Sequence, residues 1–152
     1  MAITVRPAAP ADVPIIAEYN RRLARETEHL ELDLATVTAG VAAAIADSDR
    51  KGPYFLAVDG DDAVGQMQVT FEWSDWRNGW FWWVQSVYVR ADYRGQGVFR
   101  QLYEHVRQAA RDDGNVVGVR LYVERENRPA QETYRRLGFN EMPFHLMQEL
   151  LS

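Results

Sequence analysis

The chain has 152 residues, 47% apolar and 26% charged, the composition of a soluble globular protein long enough for one well-buried core. With no cysteine it can build no disulfide framework, thiolate zinc site or cysteine nucleophile, and its net charge of −5 speaks against general nucleic-acid binding and for cationic partners. The first residues carry no apolar signal core and no apolar run approaches a membrane span, so a cytoplasmic protein without a membrane partner is expected, as a single domain over residues 1–152.

Ile3–Val5 reads as a short strand closed by Pro7. Asp12 is placed to cap a helix with Val13, Ile16, Ala17, Leu23 and Ala24 inward, and Pro14 is tolerated in its first turn. An acidic link follows, Glu26-Thr27-Glu28-His29-Leu30-Glu31-Leu32-Asp33. Asp33 then caps a second helix with Leu34, Val37, Val41 and Ile45 inward. Pro53 opens a strand over Tyr54–Val58, and the turn Asp59-Gly60-Asp61-Asp62 joins it to Val64–Trp73, a hairpin signal. After a second turn at residues 74–79 comes the apolar run Val84–Val89, read as the central strand.

The loop after that strand, Arg94-Gly95-Gln96-Gly97, leads into a helix with Phe99, Leu102, Val106 and Ala109–Ala110 on one face. Asp112-Asp113-Gly114-Asn115 stops this helix, with Gly114 suited to a left-handed cap. Val116–Val123 is the next strand, apolar enough to be buried on both faces. Asn127 caps a short helix with Pro129 in its first turn and Ala130, Thr133, Tyr134 and Leu137 as its buried stripe, and Gly138 ends it. A last strand is expected through Phe139–Glu149, interrupted at Pro143. The order β-αα-βββ-α-β-α-β predicts an α/β mixed sheet, antiparallel in its first half with a parallel crossover around the glycine loop, flanked by about four helices.

A strand feeding a glycine turn into a helix leaves backbone N–H groups without intrahelical partners at the positive end of the helix dipole. Gly95 and Gly97 let the backbone approach an anion closely because no Cβ intervenes. The stretch therefore predicts a phosphate cradle. A P-loop reading fails, because no Lys-Ser or Lys-Thr follows the glycines. A dinucleotide fingerprint has Arg100 in the place of its third glycine, although Glu124 ends the next strand-like run. The plain alternative is a tight strand–helix turn without a ligand.

Val87-Tyr88-Val89 followed by Arg94-Gly95-Gln96-Gly97-Val98 resembles the acyl-CoA loop of the GNAT N-acetyltransferase superfamily, in which Gln or Arg is followed after two residues by Gly, and two positions later by Gly or Ala. Asn127-Arg128-Pro129-Ala130, Tyr134 and Gly138-Phe139 resemble a second family segment, and Ile3–Ala8 with Asp12 resembles the family's first strand and turn. Phe99 stands where the family prefers Gly or Ala, so a cradle here needs its side chain turned toward the helix core.

This resemblance implies a GNAT-like fold and direct acetyl transfer from acetyl-CoA to a bound amine, with no metal. Val87 and Val89 would then lie along the pantetheine arm. The amides from Gln96 through Gly97, Val98 and Phe99 to Arg100 would take the pyrophosphate, with Arg94 as a flanking charge. Asn127 has two roles open to it, a helix cap and a cofactor contact. Tyr134 matches the family tyrosine that protonates the leaving thiolate, although its helix position also suits a core tyrosine.

For the base, alternation puts Gln66, Gln68, Thr70 and Glu72 on one strand face. Glu72 is the candidate there, equally readable as a surface glutamate, with Glu124 and Glu126 behind it. In the family the segment between the first two helices walls the acceptor side, so Glu26 and Glu28 mark a rim suited to a small cationic amine; the same carboxylates also suit a solvated loop. Trp73, Trp76, Trp80, Trp82 and Trp83 crowd one hairpin. Cross-strand packing is their first role, with some left to wall an acceptor pocket or form a homodimer surface. His29, His105 and His145 show no ligand spacing, so no metal site is expected. A CoA-binding sensor without catalysis and a nucleotide-dependent oxidoreductase are the rival functions. The second is weakened because the glycine loop falls too late in a short chain for a dinucleotide fold.

Overall fold

The computed structural model, which describes residues 2–152, contains one five-stranded sheet in the order β1 (Ile3–Pro7), β2 (Tyr54–Asp59), β3 (Asp62–Ser74), β4 (Gly79–Val89) and β5 (Val116–Leu121). The first three junctions are antiparallel and β4–β5 is parallel. Short turns can join antiparallel neighbours, but a parallel pair needs a crossover, which α4 (Val98–Asp113) supplies. This is the mixed sheet the sequence predicts. Met1–Leu121, carrying all five strands, is one compact unit, and Tyr122–Ser152 is a second. No described helix is long and apolar enough to cross a membrane.

Two helices precede β2, α1 (Val13–Glu28) and α2 (Leu34–Ala46), with a one-turn helix α3 (Ser48–Lys51) after them. Ile16 of α1 with Val41 and Ala44 of α2 pack onto Tyr54, Leu56 and Val58 of β2. Side chains as fully buried as Ile16 and Leu56 contribute about 1.5–3 kcal/mol each. α4 buries Val98, Leu102, Tyr103, Val106 and Ala110, a stripe of helical period. Asp33 caps α2 as expected, its carboxylate accepting the Thr36 N–H at 2.9 Å. Gly114 ends α4 at φ 80°.

Several local expectations change. Asp12 does not bond into α1; its carboxylate accepts the Ala9 N–H at 2.7 Å and both Arg6 guanidinium nitrogens, so it closes a 3-10 turn at Pro10–Asp12. Leu34, expected inward, is exposed in the first turn of α2. β5 ends at Leu121 and is half-exposed rather than buried on both faces, because it is the sheet's edge. In the second unit, α5 (Arg128–Arg136) forms under the Asn127 cap; of its expected stripe Ala130, Tyr134 and Leu137 are half-buried and Thr133 is exposed. The strand expected over Phe139–Glu149 is absent. A strand is a relation to a neighbour, and the described chain offers this segment no ladder.

Candidate active site

The site starts where β4 runs past its neighbour. Pairing to β5 stops at Val84 with Leu121, while pairing to β3 continues to Val89 with Gly65. Residues 85–89 of β4 therefore have β3 on one side and no β5 partner on the other. Within them β4 carries one residue more than β3 does, a β-bulge between Gln85 and Tyr88, with Ser86 in the left-handed region at φ 50°. A bulge bends its strand and re-aims the residues after it. The Arg90 N–H donates to Val64 O at 2.8 Å, so alternation turns the backbone groups of Val89 toward the side without β5.

The bulge is gripped from the core. Gln66, fully buried, donates from Nε2 to Ser86 O at 3.0 Å and to Asn20 Oδ1 at 2.7 Å. Its Oε1 is buried with no hydrogen-bond partner among the described residues. A buried amide with one satisfied end is costly, so the grip is part of what places β4.

Beyond β4 the chain makes a 3-10 turn at Ala91–Tyr93 and enters the glycine loop. The Tyr93 hydroxyl donates to Asp59 at 2.6 Å and ties the turn to the end of β2. Gly95 and Gly97 adopt φ 75° and 83°, and a Cβ on either would meet nothing within 4 Å. Gly97 is the N-cap of α4, with no side-chain cap, and the first helix bond runs from Gln101 N to Gly97 O. The amides of Val98, Phe99 and Arg100 thus face outward at the positive end of the helix, the geometry that suits a phosphate. Phe99 is half-buried, not inserted into the core; its ring stacks on Tyr103 at 6.2 Å beside the buried stripe of α4. An open groove of about 540 Å³ touches Gly97, Arg100, Gln101, Glu104 and His105.

A cleft of about 350 Å³ unites residues from three parts of the sequence: Glu26 and Thr27 of α1, Val87 to Val89 of β4, and Arg94. Glu26 accepts the Tyr88 hydroxyl at 2.7 Å and Arg94 Nη2 at 2.8 Å, while Arg94 Nε donates to Val89 O at 2.8 Å. The Tyr88 and Arg94 hydrogen bonds hold the Glu26 carboxyl below its usual range. Burial, and then the bond to Glu26, raise the Tyr88 phenol above its own. Glu26 is therefore a neutralised carboxylate locking Arg94 to β4. Glu28 is exposed at the end of α1 and takes no part in this cluster. Tyr88, Gln66 and Ser86 were not legible as site residues. Alternation placed Gln66 on a polar face with Gln68, Thr70 and Glu72, whereas it is fully buried.

Glu72 lies opposite Phe81, inside the region where β4 pairs with both neighbours, three residues from Val69 at its edge and on the side toward the hairpin turn. Its Oε1 accepts Trp83 Nε1 at 2.9 Å and pairs with Arg120 at 3.0 Å. None of the five tryptophans is buried; Trp73 and Trp80 meet edge-on at 5.0 Å across the hairpin, and Trp76 in the turn is 95% exposed. In the second unit Asn127 caps α5 by accepting the Ala130 N–H at 3.2 Å. Tyr134, on the same helix, packs edge-on against Phe139 at 5.9 Å, and burial raises its phenol above the usual value. No three His, Asp or Glu side chains gather as a metal site among the described residues.

The sequence profile of the Acetyltransferase (GNAT) family matches residues 16–139. Proteins named L-methionine sulfoximine/L-methionine sulfone acetyltransferase, from Pseudomonas paraeruginosa PA7 and Pseudomonas aeruginosa PAO1, are 34% identical over 146 residues, covering 91% of this chain and 81% of theirs. The crystal structure of "a possible acetyltransferase" from Clostridium difficile 630 is similar with a TM-score of 0.91 and 42% identity, covering 100% of this chain and 99% of that one. A predicted acetyltransferase with acetyl-CoA from Clostridium acetobutylicum shares the fold, at 17% identity, a TM-score of 0.79 and coverage of 99% and 97%. A mixed sheet whose parallel junction stops at a bulge, followed by a glycine turn into a helix, is the frame of an acyl-CoA-dependent acyltransferase. The chain belongs to the GNAT acetyltransferase family.

Proposed function

We propose that the chain moves an acetyl group from acetyl-CoA directly onto the primary amine of a small molecule. The observation that carries this is the continuous path from the Ser86 bulge along Val87 and Val89 to the uncapped amides after Gly97. In this reading the pantetheine arm takes the place of the missing β5 neighbour beside Val87 and Val89. The amides from Gln96 to Arg100 receive the pyrophosphate, with Arg94 beside it and Asn127 contacting the cofactor as well as capping α5. The amine nitrogen attacks the thioester carbonyl carbon and the C–S bond breaks. Tyr134 gives its proton to the departing thiolate, and the ammonium proton leaves to Glu72, directly or through water.

The acceptor carries a positive charge drawn by the carboxylates at the end of α1 and just after it. Arg94 neutralises Glu26 and Arg25 pairs with Glu31 at 2.8 Å, so the net attraction falls mainly on Glu28. A single ammonium suffices for such a rim. The 34% identical relatives, named for acting on methionine sulfoximine and sulfone, bring α-amino acids into the acceptor class beside polyamines.

The test is a thermal shift followed by turnover. At about 100 times its Kd, acetyl-CoA adds about 2.7 kcal/mol of stability, and NAD and ATP add nothing. Free-thiol release is then screened over amino-acid analogues, polyamines, aminoglycosides and peptide N-termini, with Glu28→Gln raising KM for the best acceptor. Stabilisation by NAD and not by acetyl-CoA overturns the reading, and acceptance only of uncharged or acidic acceptors removes the rim from it.

A further inference from the structure

We propose that Arg120 of β5 sets acceptor specificity, holding the carboxylate of an α-amino acid whose amine lies at Glu72; this rests on the acyl-transfer reading above. Alternation along β3 puts Glu72 on the same face as Gln66, whose amide meets Asn20 of α1. The cleft at Val87–Val89 also lies under α1, against Leu23, Glu26 and Thr27. Glu72 and that cleft therefore share the α1 side of the sheet, and Arg120 reaches Glu72 on that side. Arg120 stands one residue before Leu121, whose pairing with Val84 is the last rung between β4 and β5. Its side chain is thus rooted beside the opening in which the reading above places the thioester arm.

Packing fixes this guanidinium without using up its donors. Its central carbon lies over the Phe81 ring, 3.6 Å from the centroid. Phe81 in turn fills the space that Gly118 leaves on β5, where a Cβ would meet the ring at 2.7 Å. A guanidinium held by its face keeps its N–H edge for hydrogen bonds. Of those groups Nη1 donates to Glu72 Oε1 at 3.0 Å, and the others have no partner among the described residues. Glu72 is half-used in the same way. Its Oε1 accepts both Arg120 and Trp83, while its Oε2 accepts from none of the described residues. A fixed guanidinium with open donors beside a carboxylate with an open oxygen is the complement of a zwitterion, carboxylate on the fork and ammonium on the oxygen. The local charge points the same way. Arg77, in the hairpin turn, lies 5.7 Å from the same ring and forms no ion pair among the described residues. Two arginines thus face one carboxylate around Phe81, a positive excess in a chain of net charge −5. A polyamine meets repulsion there, and an amino acid meets a partner for its carboxylate.

The test measures free-thiol release with the protein amino acids and L-methionine sulfone, each against its carboxamide, which keeps the amine and removes the negative charge. The best acceptor is expected to be an amino acid whose kcat/KM exceeds that of its carboxamide by about tenfold or more. In Arg120→Gln that ratio should fall by about tenfold or more, through the KM of the amino acid. Arg120→Lys keeps the charge without the fork and should restore part of the ratio. A strut that merely held Glu72 in place would slow acid and amide alike and leave the ratio unmoved. A thermal shift with acetyl-CoA, expected in all three proteins, monitors folding and donor binding separately. A carboxamide or polyamine that outruns every amino acid, or an unchanged ratio in Arg120→Gln, overturns the proposal and leaves the acyl-transfer reading standing. No acetyl-CoA shift in the unmodified chain removes both.

Discussion

Tyr134 and Glu72 present opposite surroundings to the chemistry proposed for them. Burial raises the Tyr134 phenol, so it stays a proton donor throughout the neutral range, which is what a leaving thiolate requires. Tyr134→Phe keeps the ring that packs on Phe139 and removes the hydroxyl that carries the proton. It is expected to lower kcat by about 10²–10⁴-fold with acetyl-CoA affinity nearly unchanged. Glu72 is tied to Arg120 and Trp83, linking β3 to β4 and β5, and this pair competes with service as a base. Glu72→Gln preserves an oxygen acceptor for both partners. A base predicts a kcat loss of the same order and a lost limb in the pH–rate profile, whereas undiminished turnover reduces Glu72 to a strut. Glu26 shows how the residue scale escapes the sequence. Its carboxylate was legible as an acidic rim, but its partners Tyr88 and Arg94 lie far along the chain, and only the fold reveals that the charge is already spent.

The two ends of α4 allow an element-scale test of the cradle. Gly97 and Gly114 both sit in the left-handed region, at φ 83° and 80°, with open space where a Cβ would go. Gly97→Ala and Gly114→Ala should therefore each lose about 1–2 kcal/mol for the same backbone reason. Only the Cβ at 97 stands among the amides proposed to take the pyrophosphate, so only Gly97→Ala should raise KM for acetyl-CoA. Equal effects on KM would leave the loop a turn and nothing more. At this scale most of the chain was legible: turn residues marked both hairpins, Asp33 and Asn127 marked their caps, and helical period marked α4. The Ser86 bulge was not, because no glycine announces it and its cause is the buried Gln66–Asn20 contact from distant elements. The strand expected over 139–149 does not form among the described residues, because alternation marks a face and does not supply the ladder neighbour a strand needs.

At the scale of the whole molecule, charge is arranged in pairs, and this sets how stability depends on pH. Hydrogen bonds from Arg6, Tyr88, Arg25, Arg90 and Arg107 lower Asp12, Glu26, Glu31, Asp92 and Glu104, and the Thr36 hydroxyl and amide lower Asp33. Each of these groups stabilises the fold above its unfolded value of 3.8 or 4.5, and that contribution is lost as pH falls through the lower folded value. Burial raises Tyr19, Tyr88, Tyr103 and Tyr134, and the hydrogen bond to Asp59 raises Tyr93. Their contribution is whole below 10.0 and is lost as pH rises through the higher folded values. The expected melting curve is a plateau from about pH 5 to about pH 10 with a fall on either side. The two limbs should answer salt differently. Most of the carboxylate partners are half-exposed arginines, and at 1 M salt a screening length of about 3 Å weakens such pairs. The acid limb should therefore flatten in salt, leaving the part due to Asp33, whose partners on Thr36 are uncharged. The alkaline limb, whose main cause is burial, should barely move. Calorimetry across pH at low and high salt decides this: an acid limb as steep in 1 M salt as without it would mean that the arginine pairs contribute nothing to the fold.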